Sequence, residues 1–170
     1  MWKALDRFFA AVDKIFVALS FVTLAGMTLL IALQVFFRYV VHAPLAWTEE
    51  LARFGFIWMT FFAGYLGARR GQHIGVELIQ NLFPAGVKKA MKFISTLAAS
   101  AFFFMVSYYL INLWGKLAMQ TSAALNIPMN YIYLGMLIGS FFIGLAYLYE
   151  SVRMFAPAVT ETEKKEDYSE

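Results

Sequence analysis

The chain has 170 residues, of which 61% are hydrophobic, 18% aromatic and only 15% charged, with a formal net charge of +3. This composition excludes an ordinary water-soluble domain, in which about 25% of the residues are charged. The positive charge is spread along the chain and not massed on one polar face, so it does not indicate nucleic-acid binding. The sequence contains no cysteine, which excludes disulfides and thiolate metal sites.

Four long apolar segments predict an all-α integral membrane protein with four transmembrane helices. The first span is predicted at 15–37 and the third at 93–115, each long enough to cross a bilayer core of about 30 Å. The second span is predicted at 45–68, with a charged outer end. The last span is predicted at 129–149, because Pro128 is expected to open that helix.

Segments next to the spans are predicted to lie along the membrane surface. Residues 1–14 carry apolar side chains at helical spacing, which predicts an interfacial amphipathic helix. Residues 71–92 repeat the pattern and predict a cytoplasmic interfacial connector, and residues 156–170 predict a disordered, charged tail. The residues expected to contact the membrane surface are Trp2, Phe8, Phe9, Arg69, Arg70, Lys88 and Lys89.

The distribution of basic residues predicts the orientation of the chain. Eleven of the fourteen lysines and arginines lie before the first span, between the second and third spans, or after the fourth. The other three are Arg38, Arg53 and Lys116. Because basic residues are enriched on the cytoplasmic side of membrane proteins, both termini are expected in the cytoplasm.

The outer end of the second span is the most informative feature of the sequence. Glu49, Glu50 and Arg53 precede Phe54–Ala68, an uncharged run of only 15 residues, which makes about 22 Å of helix. The three charged groups therefore lie near one membrane surface and need head groups, water or a protein partner. Glu49 and Arg53 are also spaced to pair along the helix. The pattern is typical of a surface ion pair or of a packing contact; it favours an ion relay least, because no other acid lies within a span.

The face that continues from this pair consists largely of small and polar residues, which permit close approach of another helix. Gln34 is expected to form a hydrogen bond between helices, and Arg38 to pair with Glu49 or Glu50. Snorkelling and an aromatic belt at the membrane surface also explain Arg38 and Trp47. The residues predicted to form a subunit interface or a packing contact are Gln34, Arg38, Trp47, Glu49, Glu50, Arg53, Thr60, Gly64 and Gly67.

The remaining motifs indicate packing rather than chemistry. Gly135 and Gly139 form a G-x-x-x-G pattern, for which packing within the chain is the simpler explanation. His42 and His73 are expected on opposite membrane faces, which argues against a haem held between helices. We find no catalytic constellation, and expect no metal and no cofactor.

The segment 34–79 resembles the small membrane subunit, of the DctQ type, of tripartite ATP-independent periplasmic (TRAP) transporters. The four-span layout extends the resemblance over nearly the whole chain. The matching positions are Gln34, Val35, Arg38, Tyr39, Trp47, Glu49, Glu50, Leu51, Arg53, Trp58, Gly64, Gly71, His73, Ile74 and Val76.

The resemblance implies a small, non-catalytic subunit of a sodium-coupled transporter in the bacterial inner membrane. Its implied partners are a large elevator-type membrane subunit, a periplasmic substrate-binding protein and the lipid bilayer, with no nucleic acid. The implied substrates are C4-dicarboxylates, keto acids or sialic acids, and no residue selects among them. Two other interpretations are a membrane anchor of a redox enzyme and, from the G-x-x-x-G pattern, a small homo-oligomeric channel or exporter.

Overall fold

A computed structural model of the chain describes residues 2–70 and 84–154, and the described part is built from long helices. Four of these helices are long and apolar enough to cross a membrane, which confirms the predicted all-α class. The first continues into a short π-helix, Phe37–Val41. The four helices are α1 (Trp2–Phe36), α2 (Ala46–Arg69), α3 (Ala85–Ala118) and α4 (Met129–Arg153).

Helix α1 joins two elements that the sequence analysis treats separately. Its 35 residues run without a break through the predicted surface helix at 1–14 and most of the predicted span at 15–37. At about 1.5 Å per residue the helix is about 52 Å long, well beyond the thickness of a bilayer core. The point at which α1 enters the bilayer stays a prediction.

Helices α2 and α4 begin close to the predicted positions, whereas α3 begins well before the predicted residue 93. Helix α2 is shifted by one residue from 45–68, and α4 follows Pro128 as expected but extends beyond 149 to Arg153. Helix α3 begins after Pro84, so residues 85–92 form its first turns and not a separate connector. The rest of the predicted connector, 71–83, and the predicted tail, 156–170, lie outside the described residues.

The helices pack in the order α1–α2–α4–α3, so that α2 and α4 are central. Tyr149, near the end of α4, donates a hydrogen bond to Asp6, near the start of α1. The first and last described residues therefore lie at the same end of the molecule, which we name the inner end after the predicted orientation. The opposite end, where α1 ends and α2 begins, is the outer end.

Glycines bring α2 and α4 together. A Cβ atom at Gly135 would collide with the ring of Trp58, and one at Gly139 would collide with Phe61, including its backbone at 3.2 Å. The Trp58 indole N–H donates a hydrogen bond of 2.7 Å to the carbonyl of Ile132. The prediction that the G-x-x-x-G pattern packs within the chain is confirmed.

Ionic and aromatic contacts join the helices at the inner end. Asp13 on α1 accepts a hydrogen bond of 2.7 Å from the Tyr65 hydroxyl and pairs with Arg69 at 3.3 Å, both on α2. Phe9 is 1% exposed, and its ring centre lies 4.5 Å from the Arg69 guanidinium and 4.8 Å from the ring centre of Tyr149. Phe9 is thus covered by protein and not by the membrane surface, whereas the predicted membrane contact of Arg69, whose side chain is 17% exposed, stays a prediction. An amphipathic pattern shows which residues share an apolar face, but not whether membrane or protein covers that face.

Candidate functional site

The outer end of α2 carries a charged cluster centred on Glu49. The Glu49 carboxylate accepts hydrogen bonds from the Gln34 side-chain amide at 3.1 Å and from Arg53 at 3.2 Å. Arg38 lies 3.8 Å from the same carboxylate. Glu49 therefore connects α2 to the end of α1 and its π-helix, and both the predicted interhelical bond of Gln34 and the pairing of Arg38 are confirmed. We call these four residues the outer cluster.

Glu50 points away from the outer cluster and holds the turn between α3 and α4. Its carboxylate accepts hydrogen bonds of 2.9 Å from the backbone N–H groups of Ala123, Ala124 and Leu125. Three amide donors on one carboxylate resemble the backbone nests that bind anions. Glu50 therefore contributes to packing within the chain and fixes the outer turn in place.

The same turn is also stabilised by its own hydrogen bonds. The backbone N–H of Ser122 bonds to the carbonyl of Ile127 at 2.9 Å, and that of Met129 bonds to the carbonyl of Gln120 at 2.8 Å. Asn126 adopts the left-handed conformation, with φ of 54°, which asparagine tolerates better than most residues. The sequence analysis predicts no site in this turn, because its hydrogen bonds join backbone groups that no side-chain pattern marks.

One side of α2 is left uncovered by the rest of the described chain. The spacing of three and four residues places its members on a single helical face. Apart from Phe56 and the charged residues, the side chains on this face are small, so another helix can approach the α2 backbone closely. This exposed face consists of Glu49, Arg53, Phe56, Thr60, Ala63, Gly64 and Gly67, of which Gly67 is half-buried.

The opposite side of α2 has a different character. Gly55 is two residues from Arg53 and so points about 200° around the helix from it. It lines an apolar groove of about 310 Å³ between the outer halves of α1, α2 and α4, with Gly26 and Tyr131 on the neighbouring helices. Charged groups and small residues therefore occupy the exposed face of α2, whereas the outer half of its opposite side lines this groove with Leu51, Phe54 and Trp58.

The other predicted site residues fall into two groups. Thr60 satisfies its hydroxyl by donating to the Phe56 carbonyl at 2.8 Å, and a Cβ at Gly64 would lie 3.3 Å from Ile143, whereas one at Gly67 would meet nothing within 4 Å. These three positions stay candidates for a subunit contact. Trp47 is exposed and stays a candidate for a subunit or packing contact. The exposed residues that stay candidates for membrane contact are Phe8, Arg70, Lys88 and Lys89. Trp2 is the first residue of α1.

Residues 2–70 and 84–154 contain no group of three or more His, Cys, Asp or Glu side chains that is able to hold a metal ion. These residues form four long apolar helices, with ion pairs between helices at both ends. One of the helices, α2, exposes a face of small residues with a charged outer end. These features define a small multi-pass membrane protein. The chain belongs to the DctQ component family of tripartite ATP-independent periplasmic transporters, whose family model matches residues 27–156.

Curated relatives agree with this assignment. The ectoine TRAP transporter small permease protein TeaB of Halomonas elongata is 26% identical over 153 residues, which cover 88% of this chain and 77% of the relative. A protein of Haemophilus influenzae described as a putative TRAP transporter small permease protein is 32% identical over 95 residues, covering 56% of this chain and 57% of the relative. The sialic acid TRAP transporter permease protein SiaT, also of Haemophilus influenzae, is 33% identical over 70 residues, covering 38% of this chain and 11% of SiaT.

The family assignment places the protein among transport components and thereby favours one of the three interpretations of the sequence. The homo-oligomeric channel was suggested by Gly135 and Gly139, and both are used within the chain against α2. The redox-anchor interpretation gains no support from the relatives, which are named as permease proteins of TRAP transporters.

Proposed function

We propose that this chain is the small, non-catalytic membrane subunit of a sodium-coupled TRAP transporter of the bacterial inner membrane. In this role it braces a large elevator-type membrane subunit and helps form the surface on which a periplasmic substrate-binding protein docks. The transported class is an organic acid, such as a C4-dicarboxylate, a keto acid or a sialic acid. The relatives do not select one substrate for this chain, since one relative is named for ectoine and another for sialic acid.

The observation that carries the bracing role is the exposed face of α2. This helix is packed by α1 on one side and by α4 on the other, and yet no other described residue covers its face from Glu49 to Gly67. A second helix can make close van der Waals contact with the small residues of this exposed face, whereas lipid tails gain little there. The match to only 11% of the permease protein SiaT also fits a chain that works beside a larger membrane component.

The docking role is supported by the outer turn between α3 and α4. The three backbone bonds to Glu50 and the bonds within the turn hold its backbone in one conformation. Met119, next to the turn, is 85% exposed, and Ala123 and Ala124 are exposed as well. A preorganised turn loses less conformational entropy when a partner binds than a mobile one does.

Co-purification tests the bracing role. Tagged chain, co-expressed with the large TRAP transporter subunit of the same organism, should recover that subunit from detergent extracts. Gly67→Leu should reduce the recovery strongly, because an added Cβ meets nothing within 4 Å among the described residues, whereas the larger side chain blocks close approach of a partner helix. The matched control is Gly115→Leu on α3, where a Cβ also meets nothing within 4 Å. Failure of the unmodified chain to recover the large subunit would refute the proposal.

A further inference from the structure

The charges of the outer cluster do not balance. Glu49 is shared between Arg38 and Arg53, and among the described residues it is the only acid paired with either arginine. The ion pairs of the inner end have one base for each acid: Arg69 with Asp13, Lys92 with Glu150 and Arg153 with Asp6. The outer cluster therefore carries a surplus of one positive charge.

The surplus charge is accessible. The Arg53 side chain is 66% exposed and the Arg38 side chain 50% exposed, compared with 17% for Arg69 at the inner end. Each guanidinium has five N–H donors, and the contacts with Glu49 engage only part of them. Both arginines therefore retain donors for a further acceptor.

Glu50 forms no ion pair with Arg38 or Arg53 among the described residues, although it is the next residue after Glu49. Its two carboxylate oxygens accept hydrogen bonds from the backbone N–H groups of Ala123, Ala124 and Leu125 at the outer turn. A second carboxylate that pairs with the two arginines would therefore come from outside the described chain.

We propose that the exposed face of α2 binds a transmembrane helix of the large subunit that carries an aspartate or glutamate at the level of Arg38 and Arg53. Two independent features lead to this partner. The surplus positive charge attracts an anionic group to the outer end of α2. Further along the same face, beyond the exposed Phe56, the residues Thr60, Ala63 and Gly67 leave room for a helix backbone. A phospholipid phosphate would satisfy the first feature but makes no use of the second.

The chemistry favours a carboxylate as the acceptor. Arginine and carboxylate groups form paired, charge-assisted hydrogen bonds, which are stronger than neutral ones. Near the edge of a bilayer such a pair also removes the cost of an unpaired charge. Glu49 then acts as a positioning residue, because its carboxylate holds both guanidinium groups on the side of α2 that faces the partner.

The test rests on the proposed function and compares charge variants in the co-purified complex. Replacing both arginines with glutamine (Arg38→Gln with Arg53→Gln) should lower recovery of the large subunit by about tenfold or more, as expected when a buried charged partner is lost. The double lysine variant, which keeps both charges, should retain most of the recovery. Lys116→Gln removes the third outer base, on α3, and should have no effect. Normal recovery of the double glutamine variant would overturn the inference.

Two further measurements separate this inference from its alternatives. Arg53→Glu should lose the large subunit and regain it when one acidic residue of that subunit is changed to lysine, and failure of every such change to restore recovery would contradict the proposal. Native mass spectrometry of the double glutamine variant reports bound phospholipid, and loss of phospholipid with normal recovery of the large subunit would assign the site to lipid. If the unmodified chain does not recover the large subunit, the proposed function itself fails, whereas insensitivity of a normal complex to these variants refutes only the carboxylate contact.

Discussion

Glu49 and Glu50 are adjacent in the sequence but serve different helices. Successive side chains point about 100° apart around a helix, so Glu49 reaches Gln34 on α1 while Glu50 reaches the turn between α3 and α4. Glu49 is balanced by arginines that remain exposed, whereas Glu50 is fixed by backbone amides. Glu49 therefore positions the two arginines that we propose bind the partner helix, and Glu50 stabilises the outer turn.

The role of Glu50 is testable by hydrogen exchange. In Glu50→Gln, the side-chain NH₂ would face backbone N–H donors and only one acceptor oxygen would remain. The amides of Ala123, Ala124 and Leu125 should therefore exchange faster than in the unmodified protein. Glu49→Gln is the matched control and should leave these three amides unchanged. Equal exchange in Glu50→Gln and in the unmodified protein would show that the carboxylate does not hold the turn.

Glycines on α4 allow side chains of α2 to pack closely against it. The side chains of Trp58 and Phe61 pack directly against Gly135 and Gly139 of α4. Trp58 also donates a hydrogen bond to the carbonyl of Ile132. Ser100 on α3 donates to the Gly144 carbonyl at 2.9 Å and ties the third helix to the same partner. Helices α2 and α3 therefore both pack against α4. The exposed face of α2 is not covered by α4.

We predict that Gly139→Ala destabilises the folded chain. The new methyl group would collide with the Phe61 side chain and backbone, and overpacking of this kind costs about 1–3 kcal/mol. Thermal unfolding in detergent should show a lowered midpoint for this variant. Gly115→Ala, where nothing lies within 4 Å of the added Cβ, should unfold at or slightly above the temperature of the unmodified protein. Equal midpoints for both variants would contradict the packing described for α2 and α4.

The helices themselves were predictable because hydrophobic runs of membrane length permit few other structures. The Glu49–Arg53 pair was predictable too, since it depends only on a spacing of four residues. The contact of Glu50 with Ala123 was not, because it joins residues 73 apart whose proximity follows from the order of helix packing. The burial of Phe9 was not predictable either, because it depends on Tyr149 of α4 lying against α1.

In the whole molecule, every carboxylate of the described residues connects different elements. Asp6, Asp13 and Glu150 do so at the inner end, and Glu49 and Glu50 at the outer end. Between the two ends the contacts are largely apolar, with aromatic pairs such as Phe16 with Phe62 at 5.3 Å. The protein is thus fixed at both ends and open along its sides, which suits a component that packs laterally against a larger membrane partner.

The central claim is that this chain moves no substrate alone and is required by the transporter to which it belongs. Reconstituted uptake in proteoliposomes tests this most directly, with a sodium gradient, an organic acid substrate and the cognate substrate-binding protein. We expect no uptake by the chain alone, sodium-dependent uptake when the large subunit is added, and little or none when only this chain is omitted. Uptake by the chain alone, or full uptake by the large subunit without it, would contradict the account.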